Sequence, residues 1–243
     1  MYSPQKKYSQ YILGTKFDRQ LVFSLNNDNH PLTDRLSLLE RIVVGKRVVH
    51  LGCTDHLAII DEKIRQDRWL HARLTRSAQE CLGIDIDGDA IAYIRSKYGY
   101  ENVIVGNMIS DDIPKILEGD WDYLIAGEIL EHIDDPIGFL TTLRRRYQKK
   151  ILRIVVTVPN AFYIDNFKHA IRHREIINSD HRYWFTPYTL TKCMVLAGYS
   201  VEALYMCQYF PWVFQTMFSY PKRVILSKFP LFRSTLVLEA TFS

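Results

Sequence analysis

The chain has 243 residues, 47% of them hydrophobic and 24% charged, which suits one α/β domain with a packed core and excludes wholesale disorder. Its formal net charge of +4 is too small an excess to argue for nucleic acid. Cys53, Cys81, Cys193 and Cys207 form no CxxC pair, no apolar leader opens the chain and no apolar run is bilayer-length, so free thiols and a cytoplasmic location are expected.

Residues 1–30 are polar and aromatic with weak periodicity, and read as an N-terminal arm over the core or its substrate. Residues 31–243 read as one domain. Thr33 is the expected cap of a helix with Leu36, Leu39 and Ile42 on one face, stopped by Gly45. A strand follows at Arg47–Leu51, then a helix near Trp69–Glu80 and a second strand at Cys81–Asp85. The pattern continues with a helix over Gly88–Tyr98, a strand at Asn102–Val105, a short helix around Ile113–Leu117 and a strand at Tyr123–Ala126. A helix carrying Ile137, Leu140, Leu143 and Tyr147 precedes a fifth strand, Ile151–Val158, apolar enough to be buried on both faces. Thr186 and Pro187 then open a helix that runs to Gly198. Two last strands, Val201–Met206 and Leu236–Thr241, are spaced to pair antiparallel, with an insertion at about 207–235 between them. Short apolar strands alternating with amphipathic helices predict a doubly wound, mostly parallel sheet of seven strands.

In such a sheet ligands sit beyond the carboxyl ends of the strands, so the residues just after each strand carry the functional reading. They are Gly52-Cys-Thr-Asp-His56, Asp85-Ile-Asp87, Gly106-Asn-Met108, Gly127-Glu-Ile-Leu-Glu-His132 and Pro159-Asn160. A carboxylate at Asp85 can accept hydrogen bonds from both hydroxyls of a ribose, while Asp87 is the better helix cap. Asn107 is placed to bond an adenine edge, or simply to make a turn. Gly52 lets a ligand approach the backbone closely. No GxGxxG follows the first strand, so the loop lacks the usual device for holding a pyrophosphate.

These segments resemble the class I S-adenosylmethionine-dependent methyltransferases, in particular the small bacterial type with a Glu-His pair after the fourth strand. Val48-Val-His-Leu-Gly-Cys53 is similar to the family's first motif and Leu82-Gly-Ile-Asp85 to its acidic second one. The most specific match is Asp122-Tyr-Leu-Ile-Ala-Gly-Glu-Ile-Leu-Glu-His-Ile-Asp-Asp-Pro136. Val156-Thr-Val-Pro-Asn160 and His181-Arg-Tyr-Trp-Phe-Thr-Pro-Tyr-Thr-Leu190 resemble the later motifs. The resemblance implies S-adenosyl-L-methionine as cofactor, with Gly52 and Cys53 at its methionine and ribose portion. It places Asp85 and Ile86 at the ribose end, Asn107 and Met108 at the adenine, and Gly127 and Glu128 beside the methionine. The first motif departs from the family, having one glycine where two or three are usual, and the stretch to Gly83 is long, which implies an insertion near Ile59–Arg68.

The expected activity is methyl transfer to a small-molecule, lipid-linked or glycan acceptor, through a hydroxyl. The alternatives are a catalytically inactive cofactor-binding protein and a nicotinamide-dependent oxidoreductase. His132 is the first candidate for a general base and His181 the second. Glu128, Glu131 and His132 would share a face if their turn were helical and could then bind a divalent cation. A similar array is associated with metal in the ubiquinone-biosynthesis O-methyltransferases. The reading taken instead is a surface ion-pair role, with no metal ligand assigned. The aromatic stretch Tyr209–Arg223 suits a peripheral membrane contact, a cap over a greasy substrate or a homodimer contact. The charged segment Ala161–Asp180 reads as a solvated face, or as a site for a sugar or anionic substrate.

Overall fold

A computed structural model describes residues 5–25, 31–209 and 220–242. Its seven-stranded sheet has the order β3-β2-β1-β4-β5-β7-β6. The strands are β1 (Arg47–Leu51), β2 (Glu80–Asp85), β3 (Val103–Val105), β4 (Trp121–Gly127), β5 (Ile151–Pro159), β6 (Ser200–Cys207) and β7 (Thr235–Thr241). β1 to β5 pair in parallel, and β7 runs antiparallel to both β5 and β6. The closing pair is antiparallel, as the spacing predicts, and β7 slots between β5 and the edge strand β6. The strand order reverses between β1 and β4, which leaves a crevice at their carboxyl ends.

The apolar runs explain the core. β4 and β5 each bury a run of consecutive residues, Tyr123–Ala126 and Ile154–Val158, because helices cover both faces of the sheet. On one face α5 (Gly88–Tyr98) is capped by Asp87, whose side chain accepts from the Ala90 amide, and ends at Gly99 in the left-handed region. The short α6 (Pro114–Leu117) precedes β4, and the helix α7 (Pro136–Tyr147) buries Leu140, Leu143 and Tyr147. The helix α9 (Pro187–Leu196) opens with a capping box between Thr186 and Thr189. Before β1, α2 (Arg35–Val43) is capped by Asp34, whose side chain accepts from the Ser37 amide. The cap falls one residue after the expected Thr33, since Thr and Asp are both capping types and only one of them faces the helix end.

Four helices are not evident from periodicity. The helix α1 (Gln5–Ile12) buries Tyr8 and Ile12, and Tyr8 packs on Phe23, which meets Tyr188 of α9 edge-on. The N-terminal arm thus lies on the core. The helix α3 (Leu57–Arg65) fills the long stretch between β1 and α4 (Leu70–Ser77). Two short helices, α8 (Ile164–Ala170) and α10 (Tyr220–Lys228), stand near the crevice, α8 within the charged segment and α10 overlapping the end of the aromatic one. Much of the stretch 209–223 lies outside the described residues. No helix among them is long and apolar enough to cross a membrane.

Candidate active site

The strand tips converge on a cavity of about 690 Å³, within the range usual for small-molecule and cofactor sites. Gly52, Cys53, Asp85, Gly127, Glu128, His132, Asn160 and His181 all line it, and the sheet order is what brings them together.

Its β1–β2 side is self-contained. Gly52 turns the chain at φ +69°, and a Cβ there would stand 2.9 Å from Ile129 Cδ1. The left-handed backbone favours glycine here, while Ile129 would have to shift to admit a side chain. The Gly52 and Cys53 amides donate to the Ile84 carbonyl, and Trp69 Nε1 donates to the Cys53 carbonyl, which fixes the loop. Asp85 faces the cavity. Its Oδ2 accepts from the Thr54 amide at 2.9 Å and the Thr54 hydroxyl at 2.7 Å, and its Oδ1 accepts from the Asp87 amide at 3.1 Å. A carboxylate offers about four lone-pair sites, so three local donors leave little room until the Thr54 hydroxyl turns away.

The β4 side is differently built. Glu128 sits at φ +58°, a costly conformation for a non-glycine residue and one that clusters at functional sites. It is held by the Thr157 hydroxyl at 3.2 Å and by Arg35 of α2 at 3.4 Å. Beyond it a 3-10 turn, Leu130–His132, carries Glu131 inward until its side chain is fully buried. Neither carboxylate oxygen of Glu131 has a hydrogen-bond partner. Burial, reinforced by the negative charge of Glu128, pushes its carboxyl up to about 9.

The two histidines pack beside this carboxyl, with ring centroids 4.7 Å apart and edge to face. His132 Nδ1 lies 3.2 Å from the Asp180 carbonyl, an acceptor only, so Nδ1 donates there and Nε2 is the ring nitrogen left for other partners. His181 Nδ1 is buried without a partner. Burial, then the neighbouring His132, pulls the His181 imidazole below its ordinary value and keeps it neutral near pH 7, the form that accepts a proton. Glu131, His132 and His181 each offer one donor atom, and these three atoms lie within 4.8 Å of one another. Nitrogen and oxygen donors of this kind suit a divalent cation.

Arg182 ties the loop that carries His181 to the β4 exit. Its amide donates to the Glu131 carbonyl at 2.7 Å, its guanidinium donates to the His132 carbonyl at 2.5 Å, and it pairs with Asp134. Tyr183 adds a bond from its hydroxyl to the Asp134 carbonyl.

No family model and no curated protein sequence matches the chain. Solved structures do. An S-adenosylmethionine-dependent methyltransferase from Mesorhizobium loti is 14% identical, with 85% of this chain and 95% of that one covered and a TM-score of 0.51. One from Archaeoglobus fulgidus is 16% identical, covering 85% and 92%, also at 0.51. The magnesium protoporphyrin IX methyltransferase of Synechocystis with bound SAH is 14% identical, covering 99% and 96%, again at 0.51. The chain has the S-adenosylmethionine-dependent methyltransferase fold.

Within the methyltransferase fold, the expected site residues fall into two groups. Gly52, Cys53, Asp85, Gly127, Glu128, His132 and His181 meet at the cavity. Ile86, Asn107 and Met108 are not among its lining residues. Ile86 is 73% exposed, and Met108 is buried in the core with its carbonyl bonded to the Tyr147 hydroxyl. Asn107 makes a turn, its side-chain oxygen accepting from the Ile109 amide. The expected ion-pair array also changes. Glu131 is neither at the surface nor in an ion pair among the described residues, and Glu128 pairs with Arg35. His181, distant in sequence, takes the place expected for Glu128 beside Glu131 and His132. Arg35, Thr54 and Arg182 are additional site residues. Only the cap-like start of α2 hinted at the first, and their contacts are otherwise long-range.

Proposed function

We propose that this protein transfers a methyl group from S-adenosyl-L-methionine to a hydroxyl of a small-molecule, lipid-linked or glycan acceptor. The observation that carries the reading is the meeting, in one cavity of a methyltransferase fold, of an acidic residue at the β2 tip with two neighbouring imidazoles at the β4 tip. The residues present fit the cofactor. Gly52 presents backbone with no side chain to the cavity, and Asp85 lines the same cavity with a carboxylate of the kind that accepts from ribose hydroxyls. When bound, the cofactor supplies an electrophilic methyl group on a sulfonium.

The chain's own residues would do the rest. Asp85 holds the ribose by charge-assisted hydrogen bonds once Thr54 yields. Glu128 and Arg35 form a neutralised pair beside Gly127 that orients the methionine end. His181, neutral near pH 7, or His132 through its free Nε2, takes the proton of the acceptor hydroxyl. Alignment of that oxygen with the methyl group supplies most of the rate. A divalent cation held by Glu131, His132 and His181 would occupy those same nitrogen lone pairs, and would act in place of proton abstraction by polarising the acceptor oxygen.

Incubation of the purified protein with methyl-labelled cofactor and fractionated metabolites tests this reading. Label should move to a hydroxyl-bearing compound, and titration calorimetry should show binding of S-adenosylmethionine and none of NAD. Binding of NAD alone would refute it, and cofactor binding without transfer to any acceptor would favour an inactive binding protein.

A further inference from the structure

Beside the crevice the chain builds a face that its own core does not use. No residue of α8 is buried, residues 171–180 are exposed throughout, and among the described side chains of α10 only Leu226 is buried. These elements nevertheless present Phe167, Ile171, Val224, Ile225, Phe229 and Leu231 to solvent, Ile171 at 80% exposure and Phe229 at 54%. They form one surface. Phe167 meets Phe232 with ring centroids 6.0 Å apart, Phe232 meets Phe229 at 6.1 Å, and Lys222 of α10 pairs with Asp165 of α8. Patches of this kind on a folded domain mark an interaction site.

Charge says what kind of partner fits. From Gln208 to Leu238 the sequence contains no Asp or Glu, while Lys222, Arg223, Lys228 and Arg233 lie within it. Arg233 is buried, but Arg223 and Lys228 are exposed and have no carboxylate within ion-pair distance among the described residues. Arg172 and Arg174 add exposed cations next to Ile171. A second cavity, of about 570 Å³, opens against this face. Phe23, Phe162, Tyr188, Phe229 and Phe232 line it, and Lys228 is its one charged lining residue. An apolar slot under a cation matches an acyl chain beneath an anionic headgroup. Exposed aromatics and aliphatics with basic neighbours are the composition of an interfacial surface.

We infer that the face formed by α8, α10 and the turn at Pro230–Phe232 docks on an anionic lipid bilayer. The main cavity borders the docked face, because Lys222 of α10 donates to the hydroxyl of Tyr163, a residue that lines that cavity. A bilayer seated there would bring lipid-phase molecules to the cavity mouth. This inference does not depend on methyl transfer, and its test has no catalytic readout.

The test is flotation of the full chain with vesicles of phosphatidylcholine alone and of phosphatidylcholine mixed with phosphatidylglycerol. The chain should float with the anionic vesicles, float much less with the neutral ones, and be released by added salt. Each basic residue near an anionic surface is worth about fivefold in partition. Arg223→Glu with Lys228→Glu should therefore weaken association by more than about twenty-fivefold, with an unchanged circular dichroism spectrum. Ile171→Asn, at a largely exposed position, should weaken it by a smaller factor. The inference is overturned if neutral vesicles bind equally well, if the charge-reversed variant floats like the wild type, or if nothing floats. It is equally overturned if sedimentation shows a homodimer that Ile171→Asn dissociates, since the face would then cover a second copy of the chain.

Discussion

Two carboxylates stand on either side of β1, one at the tip of β2 and one in the turn after β4, and are treated in opposite ways. Asp85 receives two hydrogen bonds from Thr54 in the loop after β1 and one from the Asp87 cap of α5, so its charge is satisfied before any ligand arrives. Glu131 receives none and is fully buried. A buried carboxyl without partners costs folding free energy, and native chains retain such groups rarely and for a reason. The β2 tip therefore has its carboxylate oriented without help from the β4 side. The β4 tip is incomplete, and its unsatisfied oxygens and histidine nitrogen point to a ligand or a proton. The first half should govern cofactor affinity and the second half turnover.

The largest expected effect breaks that division if it fails. A positioned general base contributes roughly 10²–10⁴-fold to rate. His181→Ala should lower kcat by about that factor, with the calorimetric Kd for S-adenosylmethionine unchanged. Equal losses in kcat and in affinity would show that the two halves are one.

The next prediction concerns Glu131 without any ligand. Its folded value, about 9, lies above the ordinary carboxylate value of 4.5 that it has when unfolded. The folded state thus holds the proton more tightly, and the stabilisation is complete below the unfolded value. It is lost as pH climbs toward about 9, so Tm should fall across that window. Glu131→Gln should flatten the decline. A divalent cation such as manganese should oppose it, adding about 2.7 kcal/mol at a hundredfold excess over its Kd. A wild-type Tm that is flat in pH and indifferent to manganese would remove both the titration and the cation from the β4 tip.

A smaller effect sharpens the β2 side. Asp85→Ala should weaken cofactor binding by about 1.5–3 kcal/mol, the range for a hydrogen bond to a charged group. Thr54→Val keeps the shape and removes the competing hydroxyl. If that hydroxyl has to turn away from Asp85 on binding, the substitution should leave affinity equal or improved. A loss as large as that of Asp85→Ala would make Thr54 itself a ligand contact.

The same contrast explains what was legible in the sequence. Strands such as Ile151–Pro159 and helices such as Gly88–Tyr98 show themselves because periodicity and capping residues are local signals. Asp85 could be placed because a strand end and a carboxylate are adjacent in the chain. Glu131 could not, because glutamate in a polar run reads as solvent-facing, and its burial depends on a loop some fifty residues away. Asn107 was ambiguous for a related reason. The amide that would meet an adenine edge also makes a turn, and here it makes the turn. The helices α3, α8 and α10 bury one side chain or none among those described, so they leave no clear apolar stripe to read.

The smallest effect separates the halves most cleanly. Thr186 caps α9 and ends the loop that carries His181, with its hydroxyl accepting from the Thr189 amide and its own amide donating to the Thr189 hydroxyl. Removing such a cap costs about 1 kcal/mol. In a chain of this size that corresponds to about 2–4 °C in Tm. Thr186→Ala touches nothing at the β2 tip. Its Kd for S-adenosylmethionine should stay at the wild-type value, while kcat falls modestly as His181 loses its anchorage. If calorimetry instead shows weakened cofactor binding in this variant, strain at the start of α9 travels through the Asn160–Phe185 bridge to the cofactor side. The preformed half would then depend on the incomplete one.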